Sequence, residues 1–283
     1  MANSTGKQID ETLDAEPGYR LAARGRQEAE DARLGLLEDL FDSASRRRRD
    51  LVRPGWRCLE VGAGRGSIAV WLAEQVGENG HVVATDIDVT YLERLDLPNL
   101  EVRRHNILDD PLDILGPGSF DLVSSRLMLF WLVGKQETAI RRMAECLRPG
   151  GWLVDEDGDW GTVAPVDPSH PHYSQYHAAW QDGRWWLSRG YDPAFGRKLP
   201  ALFDRCGLKN IRHDASAEVV RGGSPFARWW KETLEGIRAW EQTVSIPNKA
   251  SDEEYRALMA PMTDPSSWML SGLLHACWGQ RPV

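Results

Sequence analysis

Ten residues, Cys58-Leu-Glu-Val-Gly-Ala-Gly-Arg-Gly-Ser67, constrain this chain more than any others. The apolar run Arg57–Val61 reads as a strand. Gly62, Gly64 and Gly66 read as a tight turn, and Ser67–Val76 has the apolar spacing of a helix. Glycines let the backbone turn sharply and leave its peptide planes uncovered, so a ligand can lie against them. Amides opening the following helix favour an anionic group such as a carboxylate. The same rhythm continues downstream. His81–Asp86, Asn99–His105, Phe120–Ser125 and Gly151–Glu156 read as further strands, with Lys135–Leu147 as a helix. Gly77–Gly80 and Pro149-Gly150-Gly151 fall where turns belong. Strands alternating with helices imply right-handed crossovers and an α/β fold with a mainly parallel sheet.

The glycine spacing narrows the ligand. Dinucleotide-binding turns follow G-x-G-x-x-G, whereas this turn runs G-x-G-x-G with Glu60 two residues before its first glycine. A carboxylate there suits an ammonium group and repels a pyrophosphate, which favours S-adenosylmethionine over NAD. The loop itself (Glu60, Gly62, Ala63, Gly64, Gly66) would cradle that cofactor. Asp86 ends the second strand about 20 residues past the last glycine, where a carboxylate can accept from both ribose hydroxyls. Ile87 can pack on an adenine face, Asn106 and the amide of Ile107 can read its edge, and Ser125 and Arg126 fall beside the methyl group.

Residues 1–17 are polar and are expected to form a flexible N-terminus. Residues 18–283 read as one domain. It comprises a helical cap (18–52), a cofactor-binding core (53–160), helical insertions around a sixth strand (161–266) and a final strand (267–283). Leu34, Leu36, Leu37, Leu40 and Phe41 recur at helical spacing in the cap. Arg46-Arg47-Arg48-Arg49 is expected to be a solvated helix face. Most acids of Asp155-Glu156-Asp157-Gly158-Asp159 are expected to be solvated loop residues. Leu208–Val219 and Trp268–Trp278 are strand candidates.

Net charge is −8, which argues against a dedicated nucleic-acid binder. No segment approaches the roughly 18 apolar residues of a membrane span, and the polar start shows no secretory leader. Cys58, Cys146, Cys206 and Cys277 are scattered among apolar residues, as in reduced thiols of a cytoplasmic protein. Asp167, His170, His172 and His177 are interrupted by Pro168 and Pro171, so no metal site is expected.

As a set, Glu60-x-Gly62-x-Gly64-x-Gly66, Asp86, Asn106, Phe120-Asp121 and Arg148-Pro149-Gly150-Gly151 resemble the class I Rossmann-like methyltransferases. The bacterial branch of quinone and natural-product methyltransferases is the one resembled. The likeness covers residues 18–160 and, more weakly, Leu274–Arg281. It implies a seven-stranded sheet whose last strand is antiparallel, with helical lid elaborations. It also implies that Tyr19 closes over the methionine end of the cofactor. Glu60 and Asn106 both stand where the commonest pattern has Asp.

Ten of the 13 tryptophans lie in residues 151–283, which points to a closed pocket for a small aromatic or amphipathic acceptor. Trp160, Tyr173, Tyr176, Trp185, Trp186, Trp229 and Trp230 are its candidate walls. Ser124-Ser125-Arg126-Leu127 replaces the Pro-Pro-aromatic run of many nucleic-acid and protein N-methyltransferases, and no cysteine follows a proline as in cytosine C5 enzymes. O-, C- and N-methylation all stay open, as do a cyclisation or decarboxylation built on the same cofactor, a non-catalytic binding role, and a homodimer. His172, beside Tyr173, is the expected general base.

Overall fold

The computed structural model describes residues 27–171, 173–174, 186–187, 189–243, 249 and 251–283. Helix α1 (Gln27–Arg48) leads into β1 (Arg57–Val61), α2 (Ser67–Val76), β2 (His81–Asp86), β3 (Leu100–Arg104), β4 (Phe120–Arg126), α3 (Gln136–Cys146) and β5 (Leu147–Asp159). Then follow β6 (Ala164–Pro165), α4 (Leu199–Arg205), β7 (Lys209–Ser216), β8 (Val219–Arg221), α5 (Pro225–Thr243), α6 (Asp252–Thr263), β9 (Trp268–Leu270) and β10 (Leu273–Gln280).

The main sheet has seven strands in the order β3-β2-β1-β4-β5-β10-β7. Pairing is parallel from β3 through β5, and β10 runs antiparallel to both β5 and β7. From β1 the chain steps outward to β2 and β3, then returns to place β4 on the other side of β1. Two neighbouring strands whose connections leave in opposite directions open a crevice at their carboxyl ends, and ligands of such sheets bind there.

The central strands read as continuous apolar runs because both faces of the sheet are covered. On one face Cys58, Val82, Ala84, Leu122 and Val154 pack with Ile68, Leu72 and Val76 of α2. On the other, Leu59, Val83, Phe120, Val123 and Leu153 pack with Ile140 and Met143 of α3 and Phe203 of α4. That second cluster continues into Trp160, Trp229 and Trp230, and Leu37, Leu40 and Phe41 of α1 lie against it.

Several expectations need correction. The stretch Trp268–Trp278 is two strands, because Gly272 adopts φ +82° and breaks the run. Its first part, β9, joins β6 and β8 in a separate three-stranded sheet, so the insertions after residue 160 are not purely helical. The sixth main strand is shorter than Leu208–Val219, ending at Ser216. The fifth is longer than Gly151–Glu156, because β10 pairs with it as far as Asp159. Its acids are consequently interior: Asp155, Glu156 and Asp157 have no exposed surface and Asp159 almost none. Arg48 and Arg49 are buried too, leaving only Arg46 and Arg47 as the solvated face. Among the described residues no helix is long and apolar enough to cross a membrane.

Candidate active site

The turn after β1 is built as its glycines require. Gly62, Gly64 and Gly66 have φ of +70°, +58° and +89°, in the left-handed region that suits glycine. The Ala63 amide donates to the Thr85 carbonyl (2.9 Å), and the Gly66 amide to that of Ala63 (2.8 Å). Asp86 receives the Gly64 amide on one carboxylate oxygen (2.9 Å) and the Asp88 amide on the other (3.1 Å). The acid at the end of β2 thus holds the loop at the end of β1.

A cavity opens above this loop. At one end it is lined by Glu60, Gly62, Ala63, Gly64, Asp86 and Asp88, at the other by Phe130, Trp131, Trp160, Trp186, Tyr191, Trp229 and Trp230. Arg126, Leu127 and Met128, leaving β4, line the stretch between. One face of α1 closes it: Glu30, Arg33, Leu34, Leu37 and Glu38 follow the three- and four-residue spacing of a helix surface. Arg65, the residue between the last two glycines, pins that helix, approaching Asp31 (3.4 Å) and Glu38 (3.5 Å). Its guanidinium lies where a side chain on Gly35 would stand, 2.4 Å from a Cβ built there. Tyr91 donates to the Gln27 carbonyl (3.0 Å) and Arg94 pairs with Asp31 (3.0 Å).

The consecutive acids of β5 tie down the remaining walls. Asp155 receives the Ser125 hydroxyl. Glu156 receives Arg49, Arg48 (3.0 Å) and the Ser45 hydroxyl (3.0 Å), anchoring α1 and the turn after it. Asp157 accepts the Phe130 amide (3.1 Å), fixing the segment after β4. Asp159 pairs with Arg197. Burial pushes Asp155 up to about 7, against the bond from Ser125. Burial, and then the Asp155 charge, hold Asp157 well above the usual carboxylate range. Burial acts on Glu156 as well, but Arg49, Arg126 and Arg48 outweigh it and keep that carboxyl low.

Glu60 is buried at the polar end and takes the Ser124 hydroxyl. Burial raises its pKa, with Arg49 opposing. A cationic group in the cavity would stabilise its ionised form. Arg126 is committed to Asp42 (2.8 Å) and Ser45 (3.2 Å).

Of the residues singled out from sequence, the cavity brings together Glu60, Gly62, Ala63, Gly64, Asp86, Arg126, Trp160, Trp186, Trp229 and Trp230. Others stand off its wall. Gly66 packs under Leu92 and Leu95. Ser125 faces Asp155, and Ile107 is in the core. Asn106 is spent on its own turn, donating to Asp109 (2.9 Å) and accepting the Leu108 amide (3.0 Å). Ile87 and Tyr173 do not line it either. Tyr19, His172, Tyr176 and Trp185 lie outside the described residues. Sequence reasoning assigned the α1 region to the cap over the site without naming its lining residues, and missed Phe130, Trp131 and Tyr191. The signal for the first aromatic pair was available, since Phe130-Trp131 follows the strand beside the glycine loop.

The polar end fits S-adenosylmethionine on a specific observation. A Cβ placed on Gly64 would find no protein atom nearer than 4.0 Å, so that flank of the loop is open for a ligand. Comparison with known proteins agrees. Residues 59–155 match the family described as methyltransferase domain. Nocamycin O-methyltransferase of Saccharothrix syringae is 36% identical over 140 residues, 46% of this chain and 46% of that protein. The ubiquinone/menaquinone biosynthesis C-methyltransferase UbiE of Vibrio vulnificus (strain YJ016) is 30% identical over 127 residues, 43% of this chain and 48% of that one. Methyltransferase str3 of Strobilurus tenacellus is 33% identical over 117 residues, 39% and 38% respectively. The chain thus spans less than half the length of these curated relatives. Among solved structures, the YcgJ protein from Bacillus subtilis superposes with a TM-score of 0.51 at 17% identity, over 82% of this chain and 94% of that one. Sheet order and domain match agree on a Rossmann-like α/β fold of the kind found in class I methyltransferases. Within that fold, residues 59–155 are the part that matches a methyltransferase domain.

Proposed function

We propose that this chain transfers a methyl group from S-adenosylmethionine to a small aromatic or amphipathic acceptor. The observation that carries the proposal is a single cavity, running from the glycine loop and Asp86 to a chamber of seven aromatic side chains. The names of the relatives, which point to nocamycin and to ubiquinone/menaquinone biosynthesis, support a small molecule over a macromolecule. Bound S-adenosylmethionine supplies a methyl group activated by its sulfonium. In this reading, Glu60 faces the positive end of the cofactor, which lies along the open flank of the turn at Gly64. Asp86 accepts from the ribose hydroxyls while keeping the loop in place. Ile87, Asn106 and Ile107 lie outside the lining of this cavity.

The chain's contribution to rate is alignment and exclusion of water. Held in this cavity, the acceptor's electron-rich atom would lie in line with that methyl group, and S-adenosylhomocysteine would be the co-product. Leu127, Met128 and Leu37 line the cavity between its two ends with apolar surface. For an acceptor that must lose a proton, His172 keeps the role assigned from sequence; among the described residues no histidine lines the cavity. The test is incubation with methyl-labelled cofactor and a panel of hydroxylated aromatics, read by mass spectrometry. Label in a product, with equimolar S-adenosylhomocysteine, is expected. Cofactor-dependent conversion of an acceptor without label transfer would overturn the proposal.

A further inference from the structure

At the aromatic end of the cavity nearly every polar side-chain atom is already spoken for. Arg33 grips Glu30 through two nitrogens, at 2.8 and 2.7 Å. Thr233 donates to the Trp229 carbonyl (2.8 Å). The indole nitrogens of Trp160 and Trp229 lack acceptors, but both are fully enclosed by protein, with that of Trp160 turned toward Gly158. Tyr191 differs. It lines the cavity and is 4% exposed, yet its hydroxyl makes no hydrogen bond among the described residues.

The ring that carries this hydroxyl is held in place. Trp131 lies against it with centroids 4.0 Å apart, Phe130 at 5.8 Å and Trp186 at 6.0 Å. The backbone is fixed as well, since the Tyr191 amide donates to Trp186 (3.0 Å) and the Asp192 amide to Phe130 (2.9 Å). Burial raises the phenol well above its ordinary pKa, so it stays neutral and able to donate. Unlike those indole nitrogens, this hydroxyl is not sealed off by protein, so a ligand in the cavity can complete it. The nearby charges occur as pairs, Glu30 with Arg33 and Glu241 with Arg189, so no single sign dominates.

We infer that the Tyr191 hydroxyl is the group that reads the acceptor, and that the acceptor is an uncharged aromatic presenting a hydroxyl or carbonyl oxygen to it. This rests on the aromatic chamber being the acceptor site of the proposed methyl transfer. The test uses 1-naphthol, naphthalene and 1-naphthoate as probes, with binding read by tryptophan fluorescence in the presence and absence of S-adenosylhomocysteine. The wild-type chain should bind 1-naphthol about three- to tenfold more tightly than naphthalene, the range of one neutral hydrogen bond. It should bind 1-naphthoate more weakly than the naphthol. Tyr191→Phe keeps the ring and removes only the oxygen, so it should abolish the preference for 1-naphthol while leaving naphthalene affinity unchanged. A preference that survives in Tyr191→Phe, no preference in the wild type, or failure of all three probes to bind would each overturn the inference. S-adenosylhomocysteine affinity, measured in both proteins, separates its failure from failure of the methyltransferase reading.

Discussion

Gly64 and Gly66 share a left-handed backbone, φ +58° and +89°, but the space around them is opposite. A side chain on Gly64 would enter open cavity, whereas one on Gly66 would strike Leu95 at 2.5 Å and Leu92 at 2.9 Å. The two positions should therefore fail in different ways. Gly64→Val should keep the fold, at a cost of about 1–2 kcal/mol for the strained backbone, and lose cofactor binding. Gly66→Ala should lower the thermal midpoint first, because the helix that begins there must shift. Circular dichroism melts with S-adenosylhomocysteine titrations check both. An unfolded Gly64→Val variant would make that glycine structural and remove the ligand cradle from its role.

Helix α1 is what encloses the cavity, and charges hold it there. Arg49, fully buried in the turn after it, meets a Glu156 that is equally buried, and Arg48 adds a second contact. Breaking one side of a buried pair leaves an uncompensated charge, which costs about 3–5 kcal/mol. Arg49→Met should destabilise the chain by about that amount in chemical denaturation. Arg46→Ala, which removes an exposed arginine from its pair with Asp42, should change stability by less than about 1 kcal/mol. Equal effects at the two positions would mean that the buried network does not anchor the helix. Local pattern could not reveal this. Arg49 and Glu156 are 107 residues apart, and each lies in a charged run whose plainest reading is a solvated surface. The carboxylates of β5 were misread for the same reason, since their partners Ser125, Phe130 and Arg197 come from other elements.

At the scale of the molecule, the parts set by short-range signals were legible. The bounds of β1, α2 and β2 follow directly from the apolar runs and the glycine turn, and the reversed final strand follows from the family resemblance. The polar end of the cavity was legible too, since it is one contiguous motif plus a strand end. The aromatic end was only half legible. Trp160, Trp186, Trp229 and Trp230 stood out by composition, but Phe130, Trp131 and Tyr191 reach the cavity through a fold-level meeting of segments. All of it converges on the crevice where β1 and β4 diverge, and there the chain must discriminate between cofactors. Calorimetric titration of the purified chain with S-adenosylhomocysteine, and separately with NAD, is the most direct test. One equivalent of S-adenosylhomocysteine should bind, and NAD should give no saturable heat. Saturable NAD binding with no response to S-adenosylhomocysteine would contradict the assignment of this site.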